Sequence, residues 1–80
     1  MPKKVTTQAD RDKATLLRRL RAGGYWVEHD GHCHWTIRQS KRGHRSLASF
    51  RADYGYVYAE SDFAAEAREL LEGLHIGLVV

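Results

Sequence analysis

Tyr25 to Arg38, YWVEHDGHCHWTIR, decides the fold. Asp30-Gly31 stands between two runs rich in aromatic and β-branched residues, which is the strongest short-range signal for a β-hairpin. Gly31 accepts the positive φ of a type I′ turn, and Asp30 tolerates it. A two-residue loop there sets a register of His29 opposite His32, Glu28 opposite Cys33, Val27 opposite His34, and Trp26 opposite Trp35. Side chains alternate along a strand. One face is therefore expected to carry Trp26, Glu28, Cys33, Trp35 and Ile37, and the other Tyr25, Val27, His29, His32, His34 and Thr36. The face with both tryptophans is the expected core side, covered by the second helix. The other is expected to be half-wet and lined with imidazoles.

Upstream of the hairpin the chain reads as one helix. Residues 1–6 form a flexible basic arm with Lys3 and Lys4, and the helix begins near Thr6 or Thr7. Thr7 and Asp10 have capping-box spacing, with Asp in the Glu position. Asp10 and Asp12 suit the positive end of the helix dipole, and Arg18, Arg19 and Arg21 suit the negative end. Ala9, Ala14, Leu16, Leu17 and Leu20 make an apolar stripe, and Gly23-Gly24 stops the helix.

Downstream, QSKRGHRS (39–46) is a second turn with Gly43 near its tip, and Leu47 to Arg51 is a third strand. After a turn at 51–55, Tyr54, Tyr56 and Tyr58 alternate with Gly55, Val57 and Ala59. That pattern gives a fourth short strand, or a continuation of the third through a bulge at Gly55. Ser61 reads as the N-cap of a second helix. Its buried stripe is Phe63, Ala67, Leu70, Leu71 and Leu74, and its wet side is Asp62, Glu66, Glu69 and Glu72. Gly73 or Gly77 ends it. The tail, residues 75–80, is apolar and uncharged; it adds an edge strand, docks on the core, or packs on another chain.

Eighty residues make one domain, 1–80, with an economical core. The single Cys allows no internal disulfide, which fits a reducing cytoplasm. No apolar run has the length of a membrane span, and the first ten residues lack the apolar stretch of a signal peptide. The net charge of +3 is unevenly spread. Residues 1–51 hold twelve Lys/Arg and four Asp/Glu, giving +8, and residues 53–80 hold one Arg against six Asp/Glu, giving −5. Such a split suits a basic surface for an anionic partner with a separate acidic one, and equally two solvated faces.

Three constellations bear on chemistry. His29, His32 and His34 offer imidazoles suited to zinc, but Cys33 points to the opposite face and no paired Cys spacing exists, so no metal or other cofactor is expected. Arg38, Lys41, Arg42, His44, Arg45 and Arg51 form a basic set, with Tyr25, Tyr54, Tyr56 and Tyr58 interleaved on the same sheet. Cations grip phosphates and aromatic faces stack bases, so this mixture suits nucleic acid. The acidic row Asp62, Glu66, Glu69 and Glu72 is either a solvated helix face or an imitation of a phosphate backbone. Glu28 with Cys33 lacks the base and oxyanion donor that a nucleophile needs, and no catalytic residue is assigned.

Several families share parts of this pattern. The order helix, three or four antiparallel strands, helix is similar to the double-stranded-RNA-binding fold, and Ser61-DFAAEARELL resembles its last helix, without that helix's lysine-rich start. Leu16-LRRLRAGGYWV and Gly31-His-Cys-His34-Trp resemble the HicA messenger-RNA-cleaving toxins. The resemblance implies a ribonuclease with His34 or His32 as base, although His32 stands where those toxins have Ser. Trp35-TIRQSKRGHRSLASF50 resembles the DNA-binding meander of plant ethylene-response factors and of phage integrase arms. In overall type, the short chain with segregated charge is similar to small phage- or plasmid-encoded inhibitors, the anti-CRISPR proteins among them.

The expected fold is α+β: a helix, an antiparallel three- to four-stranded meander, and a helix packed on one face. The expected function is a non-enzymatic inhibitor from a mobile genetic element, acting in the host cytoplasm by steric block of a nucleic-acid-handling complex, with a CRISPR effector foremost. A HicA-like ribonuclease and a sequence-reading DNA-binding module are the alternatives. The expected contact residues are Arg38, Lys41, Arg42, His44, Arg45, Arg51, Tyr54 and Tyr56. The partner is nucleic acid or a protein complex that binds it, with no membrane involved. The chain is expected to be a monomer, or a dimer joined through the apolar tail.

Overall fold

The computed structural model describes residues 7–31 and 33–80. The basic arm at 1–6 and His32 lie outside the described residues. The elements run α1 (Gln8–Ala22), β1 (Trp26–His29), β2 (His34–Arg38), β3 (Ser46–Arg51), β4 (Tyr56–Ala59), a 3-10 turn (Ser61–Phe63), α2 (Ala64–Leu70) and β5 (Gly77–Val79). The five strands form one sheet in sequential order. β1 to β4 are antiparallel neighbours, and β5 pairs parallel to β4. The fold is α+β with one strand more than expected, because the tail adds an edge strand. A parallel neighbour requires a crossover connection, and the 3-10 turn with α2 supplies it.

α1 begins as its sequence demands. The Thr7 hydroxyl accepts from the Asp10 N–H at 3.1 Å, and the Asp10 carboxylate accepts from the Thr7 N–H at 3.3 Å, so two otherwise unpaired donors are satisfied. Leu16, Leu17 and Leu20 are buried, whereas Ala9 and Ala14 face solvent. The stripe is completed by Asp12, only 3 % exposed. Its carboxylate accepts from the His75 backbone N–H at 3.1 Å and from the Gln8 amide at 2.9 Å. Arg19 reaches across from the same helix and donates to the carbonyls of Leu70 and Glu72 at 2.9 and 2.8 Å. These carbonyls end α2, where a helix leaves acceptors without intrahelical partners. Asp12 and Arg19 thus hold the segment from α2 to β5 against α1, although composition marks both only as helix-dipole partners.

The hairpin differs from expectation. Trp26 pairs with Arg38, Val27 with Ile37, Glu28 with Thr36, and His29 with Trp35. The Asp30 N–H donates to the His34 carbonyl at 2.8 Å, so the loop holds three residues, 31–33. Gly31 has φ 78° and Cys33 has φ 58°. A third loop residue in the left-handed region replaces the type I′ turn. The register therefore moves by three, an odd number, and β1 turns over relative to β2. Tyr25 and Val27 pack on the core, and Trp26 and Glu28 point away from it. Trp26 and Trp35 are consequently on opposite faces. Trp35 stacks between His29 and Phe50, with centroids at 4.5 and 5.6 Å, and the Lys13 ammonium of α1 lies 5.6 Å from its ring. α1 thus reaches Trp35, which packs against the core cluster. The expected imidazole face is also divided, with His29 on the core side of β1 and His34 on the other side of the sheet.

The core lies between the sheet and both helices. Leu16, Leu20, Ile37 and Phe50 are its most deeply buried side chains, each contributing roughly 1.5–3 kcal/mol by leaving water. Ile37 faces Ala48 while Arg38 faces Ser46, so Leu47 is an extra residue on β3. This bulge lets consecutive Leu47 and Ala48 both enter the core. The second helix is shorter than expected. Glu60, not Ser61, stands at the cap of the 3-10 turn, and it makes no side-chain cap bond. Phe63 meets the edge of Tyr25 at 5.4 Å. Gly73, at φ 78°, turns the chain toward β5.

Candidate nucleic-acid interface

Both helices pack on one side of the sheet, and the opposite side is uncovered by any described element. Strand alternation determines what that open face carries. Val57 and Ala59 are buried in the core, so Tyr56 and Tyr58 between and beside them point outward, 43 % and 45 % exposed. On β1, burial of Tyr25 and Val27 turns Trp26 outward at 38 % exposure. The cross-strand rows of this face are Trp26–Arg38–Ser46, Glu28–Thr36–Ser49–Tyr58–Val79 and His34–Arg51–Tyr56–Gly77. Its middle is low and polar, with Thr36 and Ser49 on the central strands. The Thr36 hydroxyl donates to the Asp30 carboxylate. Aromatic rings stand at both sides.

Tyr56 and Tyr58 lie with centroids 6.2 Å apart and planes tilted by 52°. Tyr56 is held low by Gly77. A Cβ on Gly77 would fall 2.7 Å from Cδ1 and 2.9 Å from Cε1 of the ring, so only glycine leaves room there. Tyr54, in the turn between β3 and β4, is exposed and carries the Arg51 guanidinium 4.9 Å from its centroid. The Lys41 ammonium lies 5.6 Å from the Trp26 ring.

The basic set is more committed than its sequence suggests. Arg38 pairs with Glu28 at 3.0 Å, Arg45 with Asp62 at 2.7 Å, and Arg51 with Asp53 at 3.2 Å. Hydrogen bonding to Arg45 holds the Asp62 carboxyl below its ordinary range, and hydrogen bonding to Arg51 does the same for Asp53. Lys41, Arg42 and His44 are exposed and make no ion pair among the described residues. The structure thus brings together Arg38, Lys41, Arg51, Tyr54 and Tyr56. It turns Arg45 toward the α2 side, and it removes Tyr25 from the set altogether. Burial, with Glu66 nearby, raises the Tyr25 phenol above its ordinary pKa. Trp26 is missing from the sequence-derived set, and Tyr58 belongs to its interleaved tyrosines but not to the expected contact residues. The sequence did offer a signal for Tyr58, through its alternation with Val57 and Ala59.

No family model, curated protein or solved structure matches the chain. Among the described residues, no group of three or more His, Cys, Asp or Glu is placed to hold a metal ion, and no helix is long and apolar enough to cross a membrane.

Proposed function

We propose that the chain is a non-enzymatic binding protein that lays its open sheet face on the nucleic acid of a nucleic-acid-handling complex and blocks that complex by occupancy. One observation carries this reading. The uncovered face of the sheet gathers Trp26, Tyr56 and Tyr58, with Arg38, Arg51 and Lys41 beside them. Exposed rings on a sheet stack bases, and adjacent cations meet phosphates. The acidic positions Glu66 and Glu69 belong to α2, on the helical side, and the carboxylates of the open face itself, Glu28 and Asp30, are engaged by Arg38 and by the Thr36 hydroxyl. A small chain with these two surfaces suits an inhibitor of the anti-CRISPR type acting in a host cytoplasm, as a monomer or as a dimer through the edge of β5.

A second reading rests on a different observation. His34, Arg51 and Tyr56 occupy one row across β2, β3 and β4. An imidazole, a guanidinium and a phenol in a row supply a base, a phosphate clamp and a proton donor, the groups that RNA cleavage needs. The two readings part in one assay with labelled RNA and DNA oligonucleotides. Occupancy gives a complex and intact strands. Cleaved RNA, with activity lost in His34→Ala, gives the ribonuclease instead. Inhibition of a guide-loaded CRISPR effector by the wild-type chain, weakened in Trp26→Ala and Tyr58→Ala, would support the inhibitor; undiminished effector activity at saturating protein would count against it.

A further inference from the structure

Resting on the reading that the open face binds nucleic acid, we infer that its ligand is single-stranded and runs across the β-strands, held by base stacking far more than by phosphate contacts. Three observations point there. The rings stand at two sides of the face, Trp26 on β1 and the Tyr56–Tyr58 pair on β4. Three strand spacings of about 4.8 Å separate these strands, roughly 14 Å. In the middle row between them the side chains are Thr36 and Ser49, short enough for a strand to pass over, while Arg38 and Arg51 stand in the flanking rows beside Trp26 and Tyr56. A duplex keeps its bases stacked on one another and presents its backbone, so it has no ring faces to give to Trp26 and Tyr58. A single strand has free faces and reaches both sides with about four nucleotides, the low end of site sizes for sheet-based binders.

The ion pairs set the balance between stacking and charge. Arg38 and Arg51 each carry a carboxylate within 3.2 Å, so their charges are offset before any ligand arrives. Lys41, whose ammonium lies over the Trp26 ring, and the adjacent exposed Arg42 have no carboxylate partner among the described residues. Each phosphate neutralised on a single strand contributes about −0.7 to the slope of log K against log salt. Two cations give a slope of about −1.4, small for a nucleic-acid binder. Gly77 belongs to the same device, because it lets the Tyr56 ring lie against β5.

The test uses the full chain and three labelled probes: an eight-nucleotide oligo-dT, an eight-nucleotide oligo-U and a blunt DNA hairpin. Anisotropy is followed over a salt series. The inference expects both single strands to bind, the hairpin to bind at least tenfold more weakly, and a salt slope shallower than about −2. Preference between the dT and U probes identifies whether DNA or RNA is the better source of the strand. Trp26→Ala and Tyr58→Ala should each weaken oligonucleotide binding by roughly 5- to 100-fold, the range for losing one stacked base. Both side chains are exposed, so thermal melts should confirm that the variants remain folded. Trp26→Phe keeps a ring and should recover most of the loss. Gly77→Ala, checked for folding by circular dichroism, should weaken binding as Tyr56→Ala does. Equal affinity for the hairpin, a slope of about −4 or steeper, or indifference to the ring substitutions would overturn the inference and leave nucleic-acid binding standing. No binding to any probe would overturn the reading beneath it as well.

Discussion

Asp12 shows how much one side chain contributes to so small a fold. Its buried carboxylate accepts from the His75 N–H, a backbone donor 63 positions away. Asp12→Ala removes that acceptor and should cost about 1.5–3 kcal/mol, the range for a hydrogen bond to a charged group. Asp12→Asn keeps an acceptor oxygen and should cost less; urea melts of the two variants measure the difference. Tyr25 gives a second test at this scale. Its phenol is raised by burial and by Glu66, so the neutral form is the one the folded state favours. That contribution is present in full below the ordinary tyrosine range and is lost as pH rises through the higher folded value. Melting temperature should therefore fall less on the alkaline side in Tyr25→Phe than in the wild type. An identical alkaline limb in both proteins would contradict it. The carboxylates of Asp53 and Asp62 work in the opposite sense: their pairs help above the ordinary carboxylate range and fade as pH falls below it. Both lie at the surface, so their effect on stability is small.

At the scale of elements, the hairpin predicts a contrast between its two tryptophans. Trp35 is packed against Phe50 and His29, and Trp35→Ala should cost about 3–5 kcal/mol. Trp26 lies on the open face, and Trp26→Ala should stay within about 1 kcal/mol. Comparable losses in denaturant melts would mean that the two indoles share a core. This pair also shows what could be read from the chain. The strands, the turn and the inward position of Trp35 and Ile37 were all legible from alternation and from Asp30-Gly31. The loop length was not, because a left-handed Cys33 carries no strong local signal. A physical cue did exist. Val27 is the one aliphatic residue of β1 and Ile37 that of β2, and placing them opposite each other yields the observed register. The two-residue loop that Asp-Gly favours set the expectation the other way.

Taken as a whole molecule, the charge separation survives folding in altered form. Two of the basic residues meet carboxylates from elsewhere in the chain: Glu28 on β1 faces Thr36, on the same side of β2 as Arg38, and Asp62 is 17 positions from Arg45. Pairing of that kind depends on register and on where α2 lands, so spacing along the chain does not reveal it. The outward tyrosines were legible because Val57 and Ala59 between them had to be buried. Removing Lys41 and Arg42 together should leave the melting temperature within about 2 °C, since exposed unpaired cations contribute little to stability. The same double variant should flatten the salt dependence of oligonucleotide binding. A large loss of stability would show that these side chains are engaged in the fold.

The Asp12–His75 contact also has a consequence in time. β1 to β4 are joined by short turns, and each hairpin closes over few residues, which is fast and entropically cheap. β5 has no such route: its parallel place beside β4 waits for α2 to cross over, and its anchor belongs to the helix at the other end of the sequence. The barrier to folding should therefore be crossed with the meander assembled and this latch still open. Asp12→Ala then accelerates unfolding in proportion to its lost stability while barely slowing refolding, a φ-value below about 0.3. Phe50→Leu, at the centre of β3, should do the reverse and slow refolding. Stopped-flow chevrons of the two variants would show which end of the process each residue governs. A refolding rate that falls with Asp12→Ala would place the latch in the nucleus instead.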